Sequence, residues 1–243
     1  MNIKKFPKLK FSIIFVALLL IISFSINKHS NATMNKEQES ISNLNISSDV
    51  LTFSSLEDMA SNADVVVMGH FTNLKDKMNM LRDPNNPKEE SKLGYHEGLI
   101  YGFEIEEVIA GNVDSTEINI GLRSSGDYLY TDKDGQDNIL SIDNPLYTEP
   151  ELSSNYILFL SQDKDLDMYF TPFEPFKLIV DNTNKVNVDS NLLDYKNTED
   201  TYTLERTNEI VNVISEVHFD WSDQISGQDL STVVNIIKEN HEN

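Results

Sequence analysis

Cysteine is absent from the 243-residue chain, which excludes disulfide bridges, thiolate metal sites and cysteine nucleophiles. Tryptophan occurs once, and basic residues are scarce. There are 19 Lys and Arg against 40 Asp and Glu, so the formal net charge is −21. Proteins that bind nucleic acid through its phosphates need clustered Lys and Arg. The composition therefore predicts a protein that does not bind nucleic acid.

The chain nevertheless has enough apolar material for a folded core. Hydrophobic residues make up 39% of the sequence and aromatic residues 9%. A wholly disordered protein is typically poorer in both and cannot bury enough apolar surface to fold. The length favours one domain with additions.

The first 32 residues have the three parts of a secretory signal peptide. Four lysines lie between residues 4 and 10, an uncharged apolar run covers residues 11–26, and Ser30-Asn31-Ala32 supplies small residues for cleavage. The alternative is an uncleaved membrane anchor, although about 20 apolar residues are needed to cross a bilayer. Both interpretations place the rest of the chain outside the cell, because the lysines stay in the cytoplasm.

Cleavage would make the remaining protein still more acidic. Residues 1–32 hold five lysines and no acidic residue, so their removal changes the net charge from −21 to −26. Anionic membranes and wall polymers would be repelled by this charge. We therefore expect the partner to be a protein or small-molecule ligand that is cationic or neutral, with membrane contact only if the signal stays uncleaved.

The rest of the chain divides into a spacer and one domain. Residues 33–50 are rich in Asn, Ser, Glu and Gln, a composition that predicts a disordered polar spacer. Residues 51–243 form the predicted single acidic domain. Ser54 and Glu57 match a capping box, which predicts a short amphipathic helix that extends to about Ala63.

Several segments have the apolar runs or the alternation of β-strands. Strands are predicted at residues 64–69, 101–105, 118–122 and 156–160, with a hairpin around residues 181–185. The polar segments 75–94 and 124–154 are predicted to be surface loops.

Two segments near the C-terminus carry apolar residues at helical spacing. Residues 204–217 favour a helix, although Val211, Val213 and Ser215 would also alternate in a strand. A second helix is predicted after Ser226, which would cap it, with Val233 and Ile237 on its apolar side.

Strands joined by short turns, with helices at the two ends, predict an antiparallel sheet rather than a series of βαβ units. The predicted fold class is therefore α+β. We expect the sheet to curl into a small, partly closed barrel like the oligonucleotide/oligosaccharide-binding (OB) barrel, with short helices near both ends of the domain.

Three strand segments carry a resemblance to a known group of proteins. They are residues 63–69 (ADVVVMG), 103–111 (FEIEEVIAG) and 156–160 (YILFL). This series resembles a pattern of uncharacterised exported bacterial proteins, in which ADxVVxG, VxEVxxG and YxLFL strands follow one another. The resemblance covers about residues 55–190. It implies bacterial export and a shared scaffold, and it carries no catalytic residue.

Partial matches to catalytic motifs lack essential members. His96-Glu97 begins like a zinc-protease helix, but Ile100 stands where the second histidine is needed. Ser124 has Leu122 at a position that a hydrolase elbow fills with glycine. Glu104 and Glu106 lie about 7 Å apart on one face of a predicted strand. Such a pair can hydrolyse glycosides, but a solvent-facing strand surface also explains it.

Two loops are rich in aspartate, whose oxygens could bind calcium. Asp132, Asp134 and Asp137 surround Gly135, and a second group covers residues 163–167 with Asp at 163, 165 and 167. Oxygen-rich loops can bind calcium weakly outside cells. Neither loop has the ligand spacing of an EF-hand, so we predict solvated turns and keep calcium as an open alternative. No catalytic, cofactor-binding or metal-binding residue is predicted.

These observations predict an exported, non-enzymatic binding or interaction domain at the bacterial cell surface. One alternative is an extracellular hydrolase with an unrecognised carboxylate site, and another is a calcium-dependent surface module. Buried polar side chains that converge on a cleft would favour an enzyme. An exposed apolar groove or sheet edge would favour an interaction domain.

Overall fold

The computed structural model describes residues 40–241. The predicted export signal and residues 33–39 of the predicted spacer lie outside this range. None of the helices in the described range is long and apolar enough to span a membrane. Most described residues lie in β-strands, and the fold belongs to the α+β class.

The elements are as follows in chain order. They are β1 (Ser40–Asp49), α1 (Leu56–Ser61), β2 (Val65–Asn79), β3 (Arg82–Asp83), β4 (Asn86–Glu90), β5 (Glu97–Ala110), β6 (Glu117–Arg123), β7 (Ser125–Thr131), β8 (Asp137–Asp143), β9 (Asn155–Asp163), β10 (Met168–Phe170), β11 (Lys177–Val180), β12 (Lys185–Val188), a 3₁₀ helix (Asn191–Leu193), β13 (Thr198–Leu204), β14 (Glu209–His218), β15 (Gln228–Asp229) and α2 (Leu230–Asn240). The strands predicted at 64–69, 101–105, 118–122 and 156–160 are confirmed as parts of β2, β5, β6 and β9.

The largest sheet has the order β10-β6-β5-β2-β9-β11-β12-β15, and β10 also pairs with β9. Strand pairing therefore returns to its start through β2, β5, β6, β10 and β9. All neighbours in this ring are antiparallel except β6 and β10, which run parallel with Tyr169 opposite Ile120.

One apolar cluster on these strands is rich in aromatic side chains. Phe71 is fully buried and meets Tyr101, Phe103 and Tyr156 edge-on, with ring centroids 5.1–5.9 Å apart. Such edge-to-face pairs contribute about 0.5–1.5 kcal/mol each beyond the area they bury.

Alternate residues of a strand point to opposite faces, so the ring has a second apolar side. Val66 and Phe159 lie on that side, where Met59 of α1 and Val233 of α2 pack against them. The two helices thus cover one outer face of the sheet.

A separate group of strands lies next to the ring. β1, β14 and β13 form a three-stranded sheet, and β7 and β8 form a hairpin. A third apolar cluster joins them, with Leu140 and Ile142 of the hairpin against Val211 and Val213 of β14.

The spacer prediction is wrong for residues 40–49, which form β1. Polar composition hid an alternation in which Leu44 and Ile46 pack on the third cluster. The helix prediction for residues 204–217 is also wrong, because β14 covers Glu209–His218. From Glu209 to Val217 its residues alternate between buried and partly buried, as the β-branched valines favour.

The polar loops and the caps also differ from expectation. Segments 75–94 and 124–154 are not plain loops, because each contains a two-stranded hairpin. The cap of α1 is Ser55, one residue after the predicted Ser54. The helix predicted after Ser226 is confirmed, but it begins at Leu230, and the Ser226 hydroxyl instead accepts from the backbone N–H of Val188.

Candidate functional site

The sequence contains three arginines. Two of them bind protein carbonyl or carboxylate oxygens through their guanidinium groups. Arg82 donates to the backbone carbonyls of Asn79, Pro87 and Lys88 over 2.6–3.0 Å. Arg206 pairs with the carboxylate of Asp132 and lies close to that of Asp134. The third arginine, Arg123, has no such partners.

Arg123 forms no ion pair with any carboxylate of residues 40–241. One terminal nitrogen approaches His96 Nε2 at 3.4 Å and the Tyr128 hydroxyl at 3.3 Å, both long for hydrogen bonds. The Arg123 Nε atom is buried and has no hydrogen-bond partner in the described chain. A buried unsatisfied donor is rare in folded proteins and costs about 1–3 kcal/mol.

The position of Arg123 follows from the strand that carries it. It is the last residue of β6 and lies opposite Gly98 of β5, next to Leu122, whose side chain packs inside the ring. Gly126 makes room for the guanidinium. A Cβ atom there would lie 2.8 Å from the His96 ring and 3.1 Å from a terminal nitrogen of Arg123.

A cavity of about 40 Å³ lies beside Arg123. It is lined in part by Leu122, Arg123, Tyr147, Thr148, Glu174 and Lys177. This volume exceeds the roughly 10–15 Å³ that one water molecule needs on such a measure. The Thr148 hydroxyl is buried and, like Arg123 Nε, has no hydrogen-bond partner among the described residues. We call this space the Arg123 cavity.

A second cavity of about 70 Å³ lies between the β7–β8 hairpin, Arg123 and the three-stranded sheet. Arg123 and Asn144 line both cavities. Ile46 of β1 and Val217 of β14 line the second one. Arg123 therefore stands at the junction of the two sheets.

Two more charged residues, Glu174 and Lys177, line the Arg123 cavity. Lys177 is buried, and its Nζ atom lies 2.7 Å from Asp189 Oδ2. The Glu174 carboxylate accepts from the Ser190 hydroxyl at 3.1 Å. Burial raises the pKa of Glu174 to about 7, against the opposing effects of the Ser190 hydrogen bond and the Lys177 charge. Glu174 thus changes its charge near neutral pH.

The imidazole of His96 lies beside Arg123. Burial lowers the pKa of His96 most, and the positive charge of Arg123 lowers it further. The negative charge of Asp127 partly offsets this by raising the pKa. The buried Tyr147 hydroxyl lies 3.0 Å from the Tyr101 hydroxyl, and burial raises its pKa. The space around Arg123 therefore combines its fixed positive charge with the ion-paired Lys177 and with Glu174, whose charge depends on the pH.

This arrangement favours a ligand group that accepts hydrogen bonds. Arg123 Nε can only donate, and the Thr148 hydroxyl can donate to the same space. Hydrogen bonds between a guanidinium and a carboxylate are about twice as strong as those between neutral groups. A carboxylate in the Arg123 cavity would lie beside two residues that each have an unpartnered hydrogen-bond donor.

Asp132, one of the aspartates in the first acidic loop, accepts hydrogen bonds within the protein. Asp132 is buried, so the prediction of a solvated turn is wrong for it. Its carboxylate accepts from the backbone N–H groups of Asp134 and Gln136 and from the side chains of Asn138 and Arg206. Burial alone would raise the pKa of Asp132, but these hydrogen bonds outweigh it and lower the pKa to about 2.

The second acidic loop is a turn closed by hydrogen bonds between the Asp163 side chain and the backbone that follows it. Asp163 Oδ1 accepts from the N–H groups of Asp165 and Leu166, and Asp165 lies 3.5 Å from the Lys88 ammonium. Within residues 40–241, no three His, Asp or Glu side chains are arranged to hold a metal ion.

The other candidate residues lie apart from the cavity. Glu104 and Glu106 share an exposed face, where their carboxylates lie 3.7 and 3.5 Å from the two ring nitrogens of His70. The Ser124 hydroxyl donates to the backbone carbonyl and the carboxylate of Glu97. The structure brings none of these residues together with Arg123 in one cavity.

Sequence reasoning missed Arg123, Thr148, Glu174 and Lys177. They come from four separate parts of the chain, and only the fold brings them to one cavity. The one signal in the sequence was the scarcity of arginine in so acidic a chain, with Arg123 at the end of a predicted strand.

Comparison of the chain with protein-family models, with curated proteins and with solved structures finds no match in any of the three. The resemblance to exported bacterial proteins therefore stays a prediction.

Proposed function

We propose that this protein is an exported binding domain of the bacterial cell surface and that its Arg123 cavity receives a carboxylate group of the ligand. One observation carries the proposal. Arg123 Nε and the Thr148 hydroxyl are both buried, both lack a partner within residues 40–241, and both belong to residues that line the same cavity. Binding would supply the acceptor that the fold leaves out.

The proposed scaffold is an OB-like barrel made of β2, β5, β6, β10 and β9. The ring of strand pairing, including the parallel β6–β10 pair, supports this interpretation. Barrels of this kind bind ligands on one face and in the loops that join their strands. The Arg123 cavity lies at the end of β6 and is closed by residues 144–148 and 171–177, which connect the later strands.

Size and charge restrict the ligand. A cavity of about 40 Å³ admits a carboxylate but not a whole metabolite, so the rest of the ligand has to lie outside it. The net charge of −21, or −26 after cleavage, repels polyanions over long range. The best-fitting ligand therefore has one carboxylate on an otherwise neutral or cationic molecule.

Thermal unfolding with acetate tests the proposal. Acetate at ten times its Kd should stabilise the protein by about 1.4 kcal/mol and raise the Tm by roughly 3–6 °C. Sodium chloride at equal ionic strength and neutral acetamide serve as controls. The Arg123→Gln variant should lose the shift and Arg82→Gln should keep it. An equal shift in both variants would contradict the proposal.

Glu174 supports a hydrolase as the second candidate. A carboxyl with a pKa of about 7 beside a cavity suits general acid–base catalysis at neutral pH. Hydrolysis of p-nitrophenyl acetate, compared between the native protein and Glu174→Gln, separates the two functions. A binding domain predicts no release above the buffer rate in either protein. A rate that Glu174→Gln abolishes would favour the hydrolase.

Mass spectrometry of the N-terminus tests export. Cleavage after Ala32 predicts a mature protein that begins at Thr33, because small residues precede that bond. An intact Met1 in the membrane fraction would establish the anchored form. The full chain in the cytosol would contradict both forms.

A further inference from the structure

The hairpin of β7 and β8 has an apolar pair on its outer face. Leu129 and Ile139 lie directly opposite each other in the strand register. Their exposed fractions are 67% and 68%. Side chains opposite each other on neighbouring strands lie about 4.5–5.5 Å apart, so these two form one continuous patch. Single exposed apolar residues are common, whereas Leu129 and Ile139 are adjacent on one strand face.

Carboxylates surround this pair on the same face. Asp127 lies in the strand row on one side, Asp137 in the row on the other, and Asp143 two rows from the pair. None of the three forms an ion pair with any residue between 40 and 241. Asp137 accepts only a neutral hydrogen bond, from Thr131. The patch is therefore an apolar pair with negative charge on both sides.

The opposite face of the hairpin holds it in place. Leu140 and Ile142 are buried against Val211 and Val213 of β14. At the hairpin turn, the backbone N–H of Lys133 donates to the Glu209 carboxylate at 3.0 Å. The outer face is thus presented by an anchored hairpin, and its apolar pair takes no part in the core.

We propose that this outer face docks a cationic, amphipathic segment of a partner protein. Two apolar side chains of the segment cover Leu129 and Ile139, and its Lys or Arg residues on both sides pair with Asp127 and Asp137. Charge complementarity selects this partner, since unpaired carboxylates on both sides favour a basic segment. A second copy of the chain would place carboxylates against carboxylates, and an anionic membrane would be repelled.

A synthetic peptide of seven alternating Lys and Leu residues is the probe, measured by fluorescence anisotropy in 0.15 M sodium chloride. The double variant Leu129→Ser/Ile139→Ser should bind it about tenfold more weakly, because the apolar contact is lost. Leu152→Ser/Leu193→Ser is the matched control. Its residues are 50% and 47% exposed elsewhere, and it should bind within about twofold of the native protein.

A peptide of alternating Lys and Ser separates this site from general attraction by the acidic surface. It should bind the native protein about tenfold more weakly than the Lys-Leu peptide. Equal binding of both peptides, or of all variants, would overturn the proposal. If Leu129→Ser/Ile139→Ser fails to fold, Asp127→Asn/Asp137→Asn provides the second test. It should weaken binding several-fold, and the difference should shrink as salt screens the charges.

This inference does not depend on the Arg123 cavity. Arg123→Gln should leave affinity for the Lys-Leu peptide unchanged while it removes the response to acetate. Loss of peptide binding in Arg123→Gln would show that the peptide occupies the cavity and would overturn the hairpin site.

Discussion

Two polar clusters lie at opposite ends of the β7–β8 hairpin, and they differ in how completely they are satisfied. At the turn, Asp132 and Glu209 are buried, and the oxygens of both carboxylates accept hydrogen bonds from the protein. At the base, Arg123 and Thr148 keep buried donors without partners in the described chain. The first cluster holds strands together, whereas the second keeps two donors that residues 40–241 leave unpaired.

The turn cluster shows why acidic residues alone do not define a binding site. Glu209 accepts from the Ser42 hydroxyl of β1 at 2.5 Å, from the Tyr130 hydroxyl of β7 at 2.6 Å and from the Lys133 backbone. These hydrogen bonds lower the pKa of Glu209, with Ser42 contributing most. One carboxylate thereby joins three separate segments of the chain.

The largest expected effect comes from Glu209→Ala. The change leaves the hydroxyls of Ser42 and Tyr130 and the N–H of Lys133 without an acceptor, at about 1–3 kcal/mol for each group that stays buried. We expect a loss of about 3–5 kcal/mol in the free energy of unfolding, measured with urea. The exposed Glu199→Ala should cost less than about 0.5 kcal/mol. Similar losses in both variants would show that the hydrogen bonds of Glu209 do not stabilise the turn cluster.

Substitution of one arginine in each cluster, Arg206 and Arg123, compares their contributions to stability. Arg206→Gln removes the charged partner of the buried Asp132 and should cost about 2 kcal/mol, since its own side chain is half exposed. Arg123→Gln breaks no ion pair within residues 40–241 and should change stability by less than about 1 kcal/mol. Urea unfolding of both variants at pH 7 checks this order. A larger loss for Arg123→Gln would make Arg123 a structural residue.

Glu174→Gln should stabilise the protein above neutral pH. The folded-state pKa of about 7 lies above the ordinary 4.5, so the folded state binds the extra proton. Native stability therefore falls as the pH rises from about 4.5 to 7. Glu174→Gln removes this loss. At pH 8 its free energy of unfolding, measured with urea, should exceed that of the native protein by about 1–2 kcal/mol. At pH 4 the two proteins should be alike. A stability loss at pH 8 would mean that the carboxylate is stabilising.

A smaller effect is expected for Asp132→Asn in acid. The folded pKa of about 2 lies below the ordinary 3.8, so the stabilisation is present above 3.8 and disappears as the pH falls toward 2. The variant should have a lower Tm than the native protein at pH 7. The difference should narrow between pH 4 and pH 2. A constant difference across this range would show that the charge of Asp132 does not stabilise the fold.

Local patterns predicted parts of four strands of the ring, because apolar alternation in β5 and β6 and the apolar runs of β2 and β9 reflect burial directly. They did not predict the short strand β10. They failed for β14, where Leu204, Val211 and Ile214 also fit a helix and only pairing with β13 and β1 decides. They failed for Asp132, whose charged partner Arg206 is 74 residues away. The Arg123 cavity was out of reach for the same reason, since its lining comes from residues 122 to 177.

The most direct measurement is the NMR signal of the Arg123 Nε–H group during titration with acetate. A hydrogen bond to a carboxylate changes the environment of this proton, and we expect a saturable change in its chemical shift. Acetamide at the same concentrations should give a smaller change, and the Arg82 signal, already bonded to Pro87, should stay in place. An Arg123 signal that does not respond to acetate would contradict the proposed carboxylate site.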